Sequence, residues 1–331
     1  MSKPSQSRIK KIIVTQGDPL GIGPEIFIKS LDEIQKKHAD FLIFWFGNED
    51  VLLKNIDVVK SKKLFSKISL KEINQINEKK HDFLLVEDPS FKELPIGKSV
   101  ANIILKSIEA VESLQDSALV TAPINKYRLQ DSGLNCEGHT ELLRDYFKNE
   151  RTTLLMLNEK MRVALVTNHI PLNSVSKEIS IDKIISTYES LEKFLIESLK
   201  IKNPKIAMCG VNPHCGENNL FGKEETEVLI PAVNKIKETF KKSTIIGPLP
   251  ADTAFYQAMN VPYDGIIAQY HDQGLVPIKT IDFWGAVNIT LGIPIIRTSV
   301  DHGTAETLHL QGVADSRSME NAIRWALKLI S

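Results

Sequence analysis

Three of the eight histidines follow short apolar runs that read as β-strands. His169 comes after the run 163–167, His214 after 206–210 and His271 after 266–270. Ligands of α/β proteins bind beyond the carboxyl ends of the strands, so these imidazoles are predicted to converge. Three neutral imidazoles and one open position are typical of a catalytic divalent metal. The spacing alone leaves three separate loop-capping histidines as the alternative.

Acidic residues accompany these histidines. Glu217, Asp252 and Asp272 could add an oxygen ligand or accept a hydrogen bond from an imidazole N–H. Asp252 is therefore also a candidate catalytic residue. Cys215 has no second cysteine nearby, and we interpret it as a small filling residue rather than a ligand or nucleophile.

Cationic and polar residues elsewhere indicate an anionic ligand. Arg297 lies in an otherwise apolar strand, where a buried guanidinium needs a protein carboxylate, a bound carboxylate or a phosphate as partner. Lys279 and Asn288 belong to the same late part of the chain. His139 and Thr140 precede a predicted helix, and there Thr140 is either a plain N-cap or part of a phosphate site assisted by His139.

A glycine-rich run, residues 16–25, follows the first predicted strand and leads into a helix. Its glycines would let backbone N–H groups approach an anion, and Pro24 suits a first helical turn. A tight turn without a ligand explains it equally well. Ile26 occupies the third glycine position of the dinucleotide fingerprint, so NAD would have to bind outside the Rossmann scheme.

The elements that position these residues alternate between short β-rich runs and amphipathic helices, which predicts an α/β fold with largely parallel sheets. One helix is predicted behind Ser180 as N-cap, with Ile184, Tyr188 and Leu191 at helical spacing. Residues 54–82 are rich in lysine and favour a solvated outer face over a basic binding patch. The predicted strands are 11–15, 41–46, 83–86, 118–122, 153–157, 163–167, 205–210, 265–270, 286–290 and 293–300.

Length and composition narrow the class of protein. The 331 residues, 42% of them hydrophobic, predict two lobes: 1–125 with 300–331, and 126–299 carrying the metal site and dimer contacts. Lysine plus arginine and aspartate plus glutamate number 41 each, which argues against binding nucleic acid or a membrane surface. Three scattered cysteines, and apolar runs too short for a signal peptide or membrane helix, predict a cytoplasmic protein.

Taken in order, several motifs resemble the 4-hydroxythreonine-4-phosphate dehydrogenase family of vitamin B6 biosynthesis. The resemblance runs from about Ile13 to the C-terminus; residues 54–82 match poorly, Cys215 replaces a small residue and Asn218-Asn219 replace a Gly-rich pair. The motifs are Q-G-D-P-L-G-I-G-P-E, T-A-P-I-N-K, G-H-T-E, N-P-H-C-G-E, G-P-L-P-A-D-T, Y-H-D-Q-G-L-V-P-I-K and I-I-R-T-S-V-D-H-G-T-A.

The resemblance implies a two-lobed α/β/α homodimer similar to isocitrate and isopropylmalate dehydrogenases. It assigns a divalent metal (zinc, magnesium, cobalt or manganese) to His169, His214 and His271, the last donated by the partner subunit. It assigns substrate contacts to His139, Thr140, Lys279, Asn288 and Arg297, with Lys279 also a catalytic candidate.

The implied reaction is NAD- or NADP-linked oxidation and decarboxylation of 4-phosphooxy-L-threonine to 3-amino-2-oxopropyl phosphate. Two alternatives stay open. One is a dehydrogenase of another phosphorylated four-carbon hydroxy acid, such as a 4-phosphothreonate. The other is a non-catalytic metal- or anion-binding protein on the same scaffold.

Overall fold

The computed structural model describes residues 9–38, 40–77, 81–131, 133, 138–261 and 263–330. Two compact units are present: unit 1 is Met1–Tyr146 with Pro294–Ser331, and unit 2 is Phe147–Ile293. The boundaries expected at 125/126 and 299/300 both fall inside unit 1. Cys136 lies outside the described residues.

The described residues form twelve strands and eleven α-helices. The strands are β1 (Lys10–Thr15), β2 (Phe41–Phe46), β3 (Phe65–Ser69), β4 (Phe83–Glu87), β5 (Ser117–Thr121), β6 (Thr153–Leu157), β7 (Arg162–Leu165), β8 (Lys205–Cys209), β9 (Thr244–Leu249), β10 (Gly265–Ala268), β11 (Val287–Leu291) and β12 (Arg297–Ser299). The helices are α1 (Gly23–Lys37), α2 (Glu49–Val59), α3 (Ile96–Ser113), α4 (Lys126–Asp131), α5 (His139–Phe147), α6 (Val175–Glu178), α7 (Ile181–Lys193), α8 (Ile230–Thr239), α9 (Ala251–Asn260), α10 (His271–Ile281) and α11 (Arg317–Leu329).

Unit 1 contains six parallel strands in the order β3-β4-β2-β1-β5-β12. Strand β2, with the sequence FLIFWF, is buried along its whole length, as expected for a parallel strand covered on two faces. Strand β12 pairs with β5, and α4 packs against α3, which explains why both segments belong to unit 1.

Unit 2 orders its strands β11-β6-β7-β10-β8-β9. The pairs from β7 to β9 are parallel, whereas β6 pairs antiparallel with both β11 and β7. A core cluster that includes Met156, Val163, Ala207, Ile266 and Ile278 fills the space between these strands and their helices.

The α/β class with a largely parallel sheet is therefore confirmed. The helix expected behind Ser180 is also present, because α7 begins there and the Ser180 hydroxyl accepts a hydrogen bond from Lys183 N at 3.3 Å. Among the described residues, no helix is both long and apolar enough to cross a bilayer.

Candidate active site

His169 and His271 lie side by side in unit 2. They follow β7 and β10, which are parallel neighbours, and such strands run about 4.8 Å apart. The pairing continues past the strands, since Thr167 donates both its N–H and its hydroxyl to Gln269 O, the latter at 2.7 Å. The two imidazole rings consequently lie 5.4 Å apart between centroids.

This pair fits a divalent metal. Two imidazoles on one tetrahedral zinc ion, with Zn–N bonds of about 2.1 Å, place their ring centroids roughly 5 Å apart. His271 Nδ1 lies 2.7 Å from Asp272 Oδ1, and donation to that carboxylate leaves the Nε2 lone pair for a metal. His169 is exposed and His271 half-buried, so both are accessible to an ion from solvent.

The third predicted ligand, His214, lies in the loop that follows β8. Within the described part of the chain, no three His, Cys, Asp or Glu side chains form a group that could hold a metal. His169 and His271 are thus neighbours within one chain. The assignment that the resemblance implies, His169 with His214 from one chain and His271 from the partner, stays a prediction.

The loop that carries His214 is built around a buried carboxylate. His214 and Cys215 have φ angles of 51° and 53°, a left-handed conformation that costs roughly 1 kcal/mol or more per residue. Glu225, which is 2% exposed, accepts hydrogen bonds from Val211 N and Asn212 N, both at 2.8 Å. Hydrogen bonds to a charged acceptor contribute about 1.5–3 kcal/mol each, enough to offset the strain.

Sequence reasoning missed Glu225. It lies in the charged run K-E-E-T-E, which reads as a solvated surface. A signal was present. Glu225 begins the single π-helical turn Glu225–Leu229 that leads into α8, and it precedes Val228 and Leu229 by three and four residues, so it falls on the apolar face.

In unit 1, Arg297 is buried as predicted, with 2% of its surface exposed. Its Nε and Nη2 both donate to Thr121 Oγ1, at 3.1 and 2.6 Å, across the pairing of β12 with β5. Burial lowers the pKa of Arg297 to about 10, and the Glu141 carboxylate opposes that shift. The guanidinium is therefore cationic at neutral pH.

His139, the first residue of α5, lies close enough to Arg297 for the guanidinium charge to lower the pKa of its imidazole. Its Nε2 is buried and has no hydrogen-bond partner among the described residues, although part of the residue is accessible. Burial, followed by the charges of Arg297 and Lys126, holds the pKa of His139 well below its usual value of 6.5. The imidazole is therefore neutral at physiological pH.

Lys126 completes this cationic group, which we call the Arg297 cluster: His139, Thr140, Arg297 and Lys126. A Cβ built on Gly138 would lie 3.6 Å from Lys126 Cε, which places the lysine at the start of α5. Two cations, one neutral imidazole and a helix N-terminus suit an oxyanion such as a phosphate, and the Glu141 carboxylate, 3.3 Å from the same Cβ position, offsets part of the positive charge. Lys126 stands in the motif T-A-P-I-N-K but was not singled out by the sequence analysis.

The other two residues assigned to the substrate lie in unit 2. Lys279 comes two turns after His271 on α10, and its Nζ is 5.5 Å from the centre of the Phe283 ring. Asn288 lies on β11, and its buried Oδ1 has no donor among the described residues. An acceptor in this state suits a ligand that donates an N–H or O–H group.

Asp252 has a local structural role. It is exposed at the start of α9, and its Oδ1 accepts a hydrogen bond from Thr253 N at 2.9 Å. Burial, then Glu225 and Asp252, raise the pKa of Cys215, so its thiol stays protonated, in agreement with a filling residue.

Packing accounts for the glycine-rich turn in unit 1. Gly17 has a φ of 73°, and a Cβ there would lie 2.4 Å from Pro123 O. At Gly23 a Cβ would lie 2.6 Å from Gln16 O. Both positions thus exclude any side chain without the need for a ligand, which favours the tight-turn interpretation.

Comparison with known proteins decides the family. The family described as Pyridoxal phosphate biosynthetic protein PdxA matches residues 38–326. The chain belongs to the PdxA family. This confirms the resemblance drawn from the motifs.

PdxA relatives cover nearly the whole chain. A 4-hydroxythreonine-4-phosphate dehydrogenase from Desulforapulum autotrophicum is 36% identical over 95% of this chain and 93% of its own. A D-threonate 4-phosphate dehydrogenase from Salmonella typhimurium is 33% identical over 97% and 99%. The crystal structure of 4-hydroxythreonine-4-phosphate dehydrogenase from Klebsiella pneumoniae matches with a TM-score of 0.85, 33% identity and 98% and 99% coverage.

Proposed function

We propose that this PdxA-family chain oxidises a phosphorylated four-carbon hydroxy acid with NAD or NADP, and that its substrate is 4-phosphooxy-L-threonine. The observation that carries the proposal is the Arg297 cluster, in which a buried guanidinium and a neutral, half-buried imidazole meet at a helix N-terminus. Relatives named as dehydrogenases of phosphorylated threonine derivatives support the same substrate class.

The Arg297 cluster would bind one anionic end of the substrate. A guanidinium offers a planar fork of donors to an oxyanion, and neutral His139 offers a single polar nitrogen. Lys279 and Asn288 are proposed to contact the remaining polar groups, Lys279 as a cation and Asn288 as an acceptor for a hydroxyl or amino group.

His169 and His271 are proposed to bind a divalent cation together with a His214 from a second subunit. Such a cation supplies a Lewis acid for the substrate hydroxyl, and NAD(P) accepts the hydride. Exposed apolar side chains of unit 2 support a dimer, among them Val276 at 59%, Phe283 at 52% and Tyr256 at 72% exposure.

The proposed reaction has an oxidation step followed by a decarboxylation step. Hydride leaves the carbon that bears the hydroxyl and reduces NAD(P), while the hydroxyl proton is released to solvent; Lys279, as a cation, would stabilise the alkoxide that forms. The resulting 3-oxo acid loses its carboxylate as CO2, and the enolate that remains takes up one proton at the carbon that carried the carboxylate, which gives 3-amino-2-oxopropyl phosphate.

A second substrate, D-threonate 4-phosphate, is favoured by a specific finding. Relatives named for that substrate match as well as those named for the first, for example a putative enzyme from Oceanobacillus iheyensis that is 37% identical over 96% of this chain. The two acids differ in the group beside the hydroxyl, so the reaction type is the same.

Absorbance of NADH or NADPH tests the proposal directly. Purified enzyme would be treated with a chelator, resupplied with zinc, cobalt, manganese or magnesium, and given each acid with each cofactor. We expect reduced cofactor with one of the acids only in metal-supplied samples. Absence of turnover with both acids in every metal would refute the proposed function, and full turnover in metal-free enzyme would refute the metal.

A further inference from the structure

A cavity of about 230 Å³ lies in unit 1, and its lining contains none of the residues of the Arg297 cluster. Gln16 and Asn48, which follow the carboxyl ends of β1 and β2, form part of its wall. In α/β sheets this edge is where ligands bind. Pockets for whole small molecules measure about 300–1,000 Å³, so this one suits one end of a longer ligand.

The wall combines apolar and cationic side chains. Leu20, Leu94 and Ile96 line the cavity and are 39%, 36% and 39% exposed. Lys54 and Lys92 also line it, whereas none of the described lining residues is an aspartate or glutamate. Lys92 also pairs with Asp50 at 2.8 Å, so Lys54 is the cation best placed for a ligand. An apolar cavity with a cation in its wall is complementary to an aromatic base that carries phosphates.

One face of α2 builds this wall. Asn48, Val51 and Lys54 or Asn55 recur at intervals of three and four residues, so they lie on the same side of the helix. Leu53, which is 45% exposed, lies on the same helix but does not line the cavity.

Asn55 supplies a second, independent observation. It is 1% exposed, and its Nδ2 donates to Val51 O at 2.9 Å. That bond fixes the amide so that Oδ1 remains as an acceptor, and Oδ1 has no donor among the described residues. A buried acceptor without a donor is destabilising, and a ligand N–H group would satisfy it.

We propose that this cavity binds the adenine end of the nicotinamide cofactor. The base would lie between Val51 and Leu94, with its amino group directed to Asn55, and Lys54 would face the phosphates. The inference rests on the proposed function, since it assigns the site of the cofactor which that function requires.

Binding of ADP-ribose, which lacks the nicotinamide, tests the site without turnover. Val51→Trp fills the cavity, and Leu53→Trp is the matched control on the same helix. Calorimetry should show a loss of about tenfold or more in affinity for Val51→Trp, equivalent to about 1.4 kcal/mol, and essentially none for Leu53→Trp. Thermal melts establish that both fold, and Leu94→Trp replaces Val51→Trp if that variant does not.

A charge reversal examines the phosphate contact separately. Lys54→Glu should weaken ADP-ribose more than adenosine, while Lys62→Glu, an exposed lysine outside the cavity, should change neither. Unchanged ADP-ribose affinity in a folded blocking variant would overturn the site. If wild-type enzyme still reduces NAD(P) in that case, the proposed function stands; if wild type neither turns over nor binds ADP-ribose, both proposals fail.

Discussion

Alanine variants of the three histidines should complement one another in only some pairings when subunits are mixed. The structure places His169 and His271 together, with ring centroids 5.4 Å apart, and we propose that His214 comes from the second subunit. In a twofold dimer each site would then take His169 and His271 from one chain and His214 from the other. Each variant alone removes one ligand from both sites and should be inactive.

The expected recovery follows from this arrangement. In a heterodimer of His169→Ala with His214→Ala, one site collects both lesions, and the other keeps all three histidines. Random pairing of equal amounts makes about half of the dimers mixed, so roughly a quarter of wild-type sites return. We call the two ligands that one chain supplies to a site, His169 and His271, a half-site. For His169→Ala with His271→Ala, each chain has a damaged half-site, so every site lacks one ligand and no activity returns.

Two measurements are needed for each mixture. Different affinity tags on the two variants allow mixed dimers to be isolated and counted, and NADH formation together with bound metal per dimer reports the intact sites. Recovery for His169→Ala with His271→Ala, and none for His169→Ala with His214→Ala, would show that His271 crosses to the partner's site instead. That outcome would refute the half-site inferred from the ring distance.

Three further changes follow from the structure. Arg297→Lys should lose about 1–3 kcal/mol in kcat/KM, because an ammonium cannot reproduce a bidentate fork, whereas Arg317→Lys at an exposed position should not; steady-state kinetics measures both. Glu225→Ala should lower the free energy of unfolding by about 2 kcal/mol or more in urea titrations, and exposed Glu227→Ala should not. The pKa of His139 is lower in the folded chain than in the unfolded chain, so the unfolded chain takes up the proton first as the pH falls. The free energy of unfolding, measured by urea titration, should therefore decrease as the pH drops below 6.5. The decrease should be smaller in His139→Gln.

The interior strands were predictable and the outermost ones were not. Central strands such as β2 and β6 are continuous apolar runs and were predicted with their observed bounds. Strand β3, in the lysine-rich segment 54–82, stands at the end of the strand order and is only half-buried, so it carries a weak apolar signal. Strand β9 contains Gly247-Pro248, which reads as a turn, but proline is tolerated on an edge strand.

The sequence indicates where the candidate site residues lie along the chain, but not the loop conformations that hold them. Strand ends locate His169 and His271, since that rule depends only on β7 and β10 being parallel neighbours. His214 follows β8, which also pairs with β10, but the backbone beyond that strand is left-handed, which the strand-end rule does not predict. Such conformations depend on the distant Glu225 carboxylate, and a local sequence pattern does not contain that information.

The neutral state of His139 leads to a last prediction about substrate binding. Burial and the charges of Arg297 and Lys126 keep this imidazole unprotonated, and a bound phosphate would add negative charge beside it. An opposite charge within hydrogen-bond distance favours the protonated form, so binding should raise the pKa of His139 and draw a proton from the buffer. Calorimetric titration with inorganic phosphate near pH 6.5, in buffers of different ionisation enthalpy, measures that proton.

Phosphate also titrates in this pH range, and two cations favour its dianion, which releases a proton on binding. The difference between wild type and His139→Gln removes that contribution, because the cations are the same in both. We expect wild type to take up more protons per phosphate than the variant, by a fraction of one that grows as the pH is lowered from about 8 to 6. If wild type and His139→Gln both bind phosphate and take up the same number of protons, the anion does not lie beside His139. Lys279 in unit 2 would then be the candidate for binding the substrate phosphate.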